Sequence, residues 1–364
     1  MRPIERPCNA VGRGSFDGRD LAAPGMAAAW NRLVDPQVHA DPFGCSHVWQ
    51  FANKELIPAT CASHVRMEGD SAIAFSGATS GSTMRLRPWD LGFASCPLLG
   101  EKPVEMLADL LARKPTGVDD VEIMVTGIRR RSRLEKALRT GLGSAARISV
   151  SDERKLRVAS LEGGLDGYLS RRSSHMRKNL RRESRRGAEA GIRLQRVRSS
   201  TPSGIRTNFA RMLGVEDRSW KRKCASSYSL ASTGNLYRTL LETMARSRDV
   251  RIIFAIHRGR DVGFILGGVF NDLFSGMHFS FDRDAGHLSI GNLMQLGMIE
   301  WLCADGILRY DMGIAGGGRL AYKERWAEIG IEARNFKIEV GLPVRRSHHR
   351  HPVPRCRSTE PGAR

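Results

Sequence analysis

Residues 287–292 read H-L-S-I-G-N and precede a run of helix-forming residues. The first backbone N–H groups of a helix have no acceptors within the helix, and the helix dipole adds positive potential at that end. A helix start of this kind binds anions such as phosphate. Gly291 allows a ligand to approach the backbone closely, and Ser289 or Asn292 is a candidate cap. The sequence therefore predicts either a phosphate site on Ser289, Ile290, Gly291 and Asn292 or a simply capped helix start.

Two adjacent carboxylates are candidates for moving a proton. Glu216 and Asp217 precede Trp220, and a carboxylate buried beside an indole ring has a raised pKa, which suits proton abstraction near neutrality. The alternative interpretation is a helix-surface acid that pairs with Arg218 or Lys221. Both interpretations stay open on the sequence alone.

Three further polar residues lie on predicted strands. His278 stands between Met277 and Phe279 in mid-strand, where a histidine is more often packed and hydrogen-bonded than catalytic. Asp282 closes the same strand and is expected either to orient substrate or to cap the following loop. Asp311 lies at a strand end, where open α/β sheets bind ligands.

The elements that position these residues follow from local patterns. Residues 258–261 (R-G-R-D) separate two β-branched and aromatic runs, which predicts a hairpin. A third strand is predicted over residues 276–282, and a helix from near Asn292. Gly306 follows the last apolar residues of that helix, as is typical of a helix end. A short strand then ends in D-M-G at residues 311–313.

This order of hairpin, strand, loop, helix and strand resembles the core of the GNAT superfamily of acyl-CoA-dependent transferases. The resemblance is to the FemAB-like and CelD-like acetyltransferases in particular. Residues 215–221 (V-E-D-R-S-W-K) are similar to the E-x-x-S-W-K segment of that family. Tyr322, Lys323 and Trp326 are similar to its closing Y-K-x-x-W. The resemblance covers residues 160–335 well and the preceding residues 40–150 loosely.

The resemblance implies a reaction and a set of roles. The donor would be acetyl-CoA or another acyl-CoA, with its pyrophosphate on residues 289–292. The acceptor would be an amine on a small anionic or sugar-like molecule, which attacks directly without a covalent enzyme intermediate. Glu216 and Asp217 would be the candidate bases, and Lys323 would stabilise the oxyanion, unless it is a surface lysine beside Trp326. No metal is expected. The candidate substrate-binding residues are Arg177, Arg181, Trp220, His278, Asp282, Asp311 and Tyr322.

Residues 168–198 are the most charged part of the chain, with eleven Lys or Arg and two Glu. Arg177, Arg181 and Arg185 recur at i, i+4, a spacing at which like charges disfavour a helix by roughly 0.2–0.5 kcal/mol per pair. The face is interpreted as an anion-attracting wall beside the substrate or as a solvated surface. A nucleic-acid surface is less favoured, because few aromatic residues are interleaved. A stripe of small or apolar residues is predicted to pack, formed by Leu169, Ser173, Met176, Leu180, Ser184 and Gly187.

Composition bounds the class of protein. The 364 residues suffice for two domains, and the formal net charge of +20 attracts polyanions, although an arginine-rich composition without such a ligand explains it equally well. Seven cysteines without C-x-x-C spacing predict reduced thiols and a cytoplasmic protein. No apolar run has the length of a membrane span, and the first twenty residues do not resemble a secretory signal.

We predict an α/β fold of two tandem GNAT-like domains, each a mixed β-sheet flanked by helices. Residues 1–25 and 341–364 are expected to be disordered, residues 26–150 to form a degenerate domain, and residues 151–340 to form the active acyltransferase. A mobile flap is expected at residues 315–319. One alternative is a non-catalytic protein on the same scaffold that binds anions or nucleic acid. Another is FemAB-type aminoacyl transfer from tRNA, which is disfavoured because no long helical arm is apparent.

Overall fold

The computed structural model describes residues 23, 25–54, 61–89, 95–144, 146–198, 200–223, 231–245, 249–316 and 322–341. The predicted disordered segments lie almost entirely outside the described residues, and so does most of the predicted flap. None of the helices in the described part of the chain is both long enough and apolar enough to cross a membrane.

The first half alternates helices and strands. The elements are α1 (Met26–Asn31), α2 (Pro42–Cys45), α3 (His47–Lys54), β1 (Ala62–Glu68), β2 (Ser71–Ser80), β3 (Thr83–Arg87), β4 (Leu98–Gly100), α4 (Pro103–Ala112), β5 (Asp120–Arg129) and α5 (Arg133–Gly141). Ser132 starts α5 by accepting a hydrogen bond from the Glu135 backbone N–H.

The second half contains the predicted hairpin, whose two turn residues, Arg258 and Gly259, both have positive φ. Short 3-10 helices cover Trp220–Lys223 and Arg283–Leu288. The elements are β6 (Ala146–Ser160), α6 (Gly164–Ser170), α7 (Ser174–Glu189), β7 (Arg193–Val197), α8 (Pro202–Glu216), α9 (Ala231–Ala245), β8 (Val250–His257), β9 (Arg260–Phe270), β10 (Leu273–Phe281), α10 (Ile290–Ala304), β11 (Arg309–Ile314), α11 (Lys323–Trp326) and β12 (Ile329–Val340).

The twelve strands of the described residues form one mixed sheet, in the order β1-β2-β3-β5-β12-β6-β11-β10-β9-β8-β7, with β4 beside β2. In the first half, β1, β2 and β3 are antiparallel, and α4 leads to β5, which lies parallel to β3. In the second half, β8, β9 and β10 are antiparallel, and α10 leads to β11, which lies parallel to β10. The same arrangement occurs twice, so the prediction of two tandem domains with mixed sheets is confirmed.

The two halves exchange a strand. β12 follows the second half along the chain but pairs with β5, with Ile338 opposite Ile123. β6 follows the first half and pairs with β11, with Ala159 opposite Tyr310. Separating the halves would leave strand edges unpaired, which is costly for buried backbone groups. The domain boundary predicted at residue 150 therefore falls inside β6.

A conservative substitution tests whether the exchange couples the halves. Ile338 is fully buried in a hydrophobic core that contains residues of both halves, so Ile338→Val should lower the free energy of unfolding by about 1 kcal/mol. Scanning calorimetry should show a single transition whose midpoint falls. Ile329→Val makes the same change on an exposed part of β12 and should leave the midpoint unchanged. Two separate transitions, of which only one moves, would contradict the coupling.

The arginine-rich segment is not one continuous helix. α6 ends at Ser170 and α7 begins at Ser174, because Ser173 is extended and its hydroxyl accepts a hydrogen bond from the Met176 backbone N–H. The predicted stripe is therefore divided between two helices: Leu169 belongs to α6 and still packs against the core, whereas Ser173 is exposed and the prediction that it packs is wrong. Within α7 the packed positions are as predicted: Leu180 and Gly187 are buried against α10.

Candidate active site

The sheet opens between β10 and β11. Their parallel pairing covers only Leu273–Ser275 opposite Arg309–Asp311. A cavity of about 700 Å³ lies beyond these pairs, with Gly276, Tyr310 and Met312 in its wall. A Cβ atom at Gly276 would lie 3.0 Å from the Tyr310 ring, so this close approach requires glycine. The gap between the two strands is therefore a preformed binding site of the size of small-molecule sites.

The edge of β10 that faces this gap has no strand partner beyond Ser275 among the described residues. The pairing of β10 with β9 also shifts register between Gly276 and His278, which leaves Met277 as the extra residue of a bulge. Residues 276–279 line the cavity. Their backbone can therefore receive an extended ligand that carries amide groups, in the way that a strand edge receives a peptide.

The start of α10 lies at the same cavity. Ser289 occupies the N-cap position with φ 55° and makes no side-chain cap bond, and the Asn292 side chain donates instead to Glu183 over 2.8 Å. The predicted side-chain cap is therefore wrong. The backbone N–H groups of Ile290 and Gly291 have no acceptor among the described residues. These two amides and the dipole of a 15-residue helix form an anion site.

A histidine on β10 lines the cavity and contacts a buried glutamate behind the cavity wall. His278 lines the cavity, and its Nε2 lies 3.0 Å from Oε1 of Glu216, which is fully buried at the end of α8. The imidazole stacks on the Phe264 ring with centroids 5.7 Å apart. Glu216 does not reach the cavity wall itself. It contacts His278 instead, and as a carboxylate it would favour the tautomer with the proton on Nε2.

The pKa of His278 is lowered to about 4, mainly by burial and secondly by the charge of Lys221, with Glu216 opposing both. The imidazole is therefore neutral near pH 7, which is the form that accepts a proton. Lys221 lines the cavity, and its Nζ donates to the Phe279 carbonyl oxygen over 2.5 Å. Trp220, from the same short helix, also lines the cavity.

Lys323 and Tyr322 line the cavity beside the start of α11. The Lys323 ammonium donates to the Ile314 carbonyl oxygen over 2.9 Å, and burial lowers its pKa to about 8, with Asp311 opposing. Burial raises the pKa of Tyr322 to about 12. A positive charge and a neutral hydroxyl donor therefore lie at the wall where an oxyanion would need stabilisation.

Asp311 lies behind this wall and does not line the cavity. It is 2% exposed, and its Oδ1 accepts a hydrogen bond from the Gly313 backbone N–H over 2.6 Å. Burial, and secondly the charge of Asp41, raises its pKa to about 7. Asp41 is the N-cap of α2. Phe43, the second residue of that helix, packs in the space that a Cβ atom at Gly268 of β9 would occupy. Residues of the first half therefore contact and influence the residues that lie behind this site.

The other predicted site residues lie outside the cavity. Asp217 is exposed. Asp282 is buried, accepts hydrogen bonds from Arg218 and Arg260, and caps the loop through the Asp284 backbone N–H, which is the second of its two predicted roles. Arg181 is exposed on α7, whereas the Arg177 guanidinium folds back onto backbone carbonyl oxygens of residues 169 and 172.

Several lining residues were not singled out from the sequence. Tyr310 and Met312 alternate with Asp311 along β11, so the strand periodicity could have identified them. Gln295 follows Asn292 by three residues on α10 and accepts a hydrogen bond from the Tyr310 hydroxyl over 2.8 Å. Phe279 has no comparable signal, because the bulge changes which side chains face the gap.

Comparison with known families indicates the class of domain that holds this site. Residues 174–324 match the family model described as the acetyltransferase (GNAT) domain. This segment is therefore similar to GNAT acetyltransferase domains. It contains α7 to β11 and ends at α11, and so it includes both walls of the cavity. The match covers less than half of the chain, and the narrower FemAB-like or CelD-like assignment stays a prediction.

Solved structures resemble both halves of the chain together. A conserved protein of unknown function from Bacteroides thetaiotaomicron VPI-5482 has a TM-score of 0.56 at 12% identity, covering 88% of this chain and 97% of that chain. FemX has a TM-score of 0.57 at 10% identity, covering 80% and 90%. L-PGS from Bacillus licheniformis has a TM-score of 0.50 at 14% identity, covering 76% and 83%. These identities show a shared fold alone. No curated protein matches the chain significantly.

Proposed function

We propose that the chain is an N-acyltransferase that moves an acyl group, with acetyl as the first candidate, from acyl-CoA to the amine of a small acceptor. The observation that carries the proposal is the start of α10, where Gly291 lines the same cavity as His278 and where the backbone N–H groups of Ile290 and Gly291 have no acceptor among the described residues. An anion site and a proton acceptor thus share one gap in a segment similar to GNAT domains.

The donor fits the α10 side of the gap. Its diphosphate would bind the Ile290 and Gly291 amides, and its pantetheine arm, which contains two amide groups, would lie along the free edge of β10. The close approach of the Gly276 backbone to the Tyr310 ring keeps β10 and β11 near each other at the closed end of the gap. The thioester would then lie near residues 276–279, close to the position of His278.

The acceptor amine would approach from the side of Trp220, Lys221 and His278. The amine nitrogen attacks the thioester carbonyl carbon, and a proton of the nitrogen passes to His278. Glu216 stabilises the imidazolium that forms, and the Lys323 ammonium stabilises the charge on the carbonyl oxygen. The C–S bond then breaks, and the leaving sulfur receives the proton back from the imidazolium, whose low pKa makes it a strong acid.

A substitution at Gly291 tests the donor site. A valine side chain would occupy the start of α10, and its Cβ atom would lie 3.2 Å from the Phe279 ring. We expect Gly291→Val to weaken CoA binding at least tenfold in calorimetry and to slow thiol release at low acetyl-CoA. Gly214→Val, at a helix glycine with room for a side chain, is the control. Equal CoA affinity in the two variants, both folded by circular dichroism, would refute this donor site.

The acceptor is proposed to be small and anionic or sugar-like. Lys221 and Lys323 place positive charge on the cavity wall, which favours an acceptor that carries a negative group. A thiol-release screen of wild type with acetyl-CoA against amino sugars, polyamines and amino acids ranks these classes. Preference for polyamines, which are cationic, would contradict the proposed acceptor class.

Aminoacyl transfer is the second candidate, because FemX is among the structures with the same fold. The two candidates differ in the donor. Transfer of a radiolabelled amino acid from aminoacyl-tRNA, without thiol release from acetyl-CoA, would favour the second. A non-catalytic anion-binding protein would give neither reaction, but would bind nucleic acid with a steep salt dependence.

A further inference from the structure

A second cavity, of about 340 Å³, lies beside the first and shares Asn292 with it. Its wall is formed by the first turns of α7 and by α11. The bond from Asn292 to Glu183 holds the start of α10 against α7. The second cavity therefore begins where the proposed diphosphate site ends.

The second cavity is cationic. Arg171, Arg172 and Arg325 line it, and the only carboxylate in its described lining is Glu183, which already binds Asn292. Glu328, which does not line the cavity, pairs with Arg171 and Arg172, so the three arginines still outnumber the two carboxylates. The helix start adds to this potential, because the backbone N–H groups of residues 174 and 175 have no acceptor among the described residues. α7 is a 16-residue helix, so its dipole is fully developed at this end.

Arg172 gives an independent indication of a ligand. Its side chain is 5% exposed, and its guanidinium lies over the Tyr168 ring, 4.6 Å from the centroid. One terminal nitrogen pairs with Glu328, but Nε is buried without a hydrogen-bond partner in the described structure. Leaving a buried donor unsatisfied costs about 1–3 kcal/mol, more for a charged group. An acceptor oxygen bound in the cavity would remove this cost if the guanidinium turned towards it, because Nε is not itself exposed to the cavity.

We infer that the second cavity binds a phosphate group, and that this group is the 3′-phosphate on the ribose of CoA. The inference rests on the proposed function. CoA carries a diphosphate and, on the adjoining ribose, a separate phosphate, and the protein has two anion sites on either side of Asn292. Met176 and Leu180 supply an apolar part of the wall for the adenosine. Arginine suits phosphate because its fork donates two parallel hydrogen bonds.

Calorimetry with CoA and 3′-dephospho-CoA tests the inference, because the two ligands differ only in this phosphate. Wild type should bind CoA at least tenfold more tightly than dephospho-CoA. Arg325→Ala, which removes an exposed cavity residue, should weaken CoA binding and leave dephospho-CoA binding unchanged, so the ratio falls below about threefold. Arg172→Lys should have the same effect. Arg186→Ala, on the exposed face of α7 away from the cavity, should keep the wild-type ratio.

Each other outcome overturns the inference in a distinguishable way. Equal wild-type affinities for the two ligands would remove the 3′-phosphate assignment and leave the donor proposal standing. A loss of affinity for both ligands in Arg325→Ala would mean that this residue serves the diphosphate. If inorganic phosphate binds wild type but not Arg325→Ala while CoA and dephospho-CoA bind equally, the phosphate belongs to the acceptor. Binding of neither coenzyme would overturn the proposed function itself.

Discussion

Replacing His278 with glutamine should lower kcat by roughly 10²–10³-fold and leave the Kd of CoA within about twofold of wild type. His278 lines the gap near the proposed thioester position, whereas the diphosphate site is on α10. Glutamine retains hydrogen-bonding capacity towards Glu216 but cannot take a proton. Steady-state thiol release and calorimetry separate the two quantities. A large change in Kd with little change in kcat would show that His278 binds substrate rather than accepting a proton.

Glu216 is a positioning residue in this account, and its substitution has a signature in the pH profile. Once corrected for the protonation of the acceptor amine, which attacks only as the free base, the wild-type kcat/KM should stay level as the pH falls through 6.5 and decline only as it approaches about 4, where His278 becomes protonated. Glu216→Gln removes an interaction that raises this pKa, so the acid limb should move to still lower pH while kcat falls. If Glu216 had a purely structural role, Glu216→Gln would lower the melting temperature and leave the acid limb of the pH profile at the same pH.

Asp217→Asn is the matched comparison, because Asp217 is adjacent in sequence but exposed. It should retain wild-type kcat. The two carboxylates were equivalent candidates in the sequence. In the structure, Glu216 is buried and contacts His278, whereas Asp217 is exposed. A larger loss of kcat in Asp217→Asn than in Glu216→Gln would contradict the proposed pair.

The second large effect concerns stability. Asp311 has a folded-state pKa of about 7 against an ordinary value of 3.8, which corresponds to about 4 kcal/mol. The folded state therefore binds the proton more tightly than the unfolded state. The stability that this provides is present at low pH and is lost as the pH rises from about 4 to about 7. Asp311→Asn removes the titration and preserves an oxygen for the Gly313 N–H.

We therefore expect Asp311→Asn to gain stability relative to wild type by about 4 kcal/mol between pH 4 and pH 7.5, measured by urea unfolding at several pH values. Asp41→Asn should give a difference of the same sign over a lower pH range, because the pKa of Asp41 is raised to about 6 by burial. A variant that loses stability relative to wild type as the pH rises would contradict the buried, protonated state of Asp311.

The elements around the site follow from local sequence signals, and these predictions were the accurate ones. The Arg258–Gly259 turn needs positive φ at two consecutive residues, and the helix end at Gly306 also has positive φ. The contact between His278 and Glu216 joins residues 62 positions apart. No local pattern specifies such a contact, and this is why Glu216 was predicted as a base in its own right.

The strand exchange and the influence of Asp41 on Asp311 could not be predicted from the sequence, because both depend on how the two halves pack together. β12 reads as an ordinary strand, and nothing in its residues indicates that it pairs with β5. Asp41 lies 270 residues before Asp311, in the half that was predicted to be a degenerate domain. The second cavity likewise combines α7 with α11, which are distant in sequence.

A crystal structure of the full chain with bound CoA tests the central claim most directly. The account predicts diphosphate oxygens within hydrogen-bond distance of the backbone nitrogens of Ile290 and Gly291, with the pantetheine arm between β10 and β11 and the sulfur near His278. Coenzyme bound elsewhere on the protein, or an empty gap at saturating CoA, would contradict it.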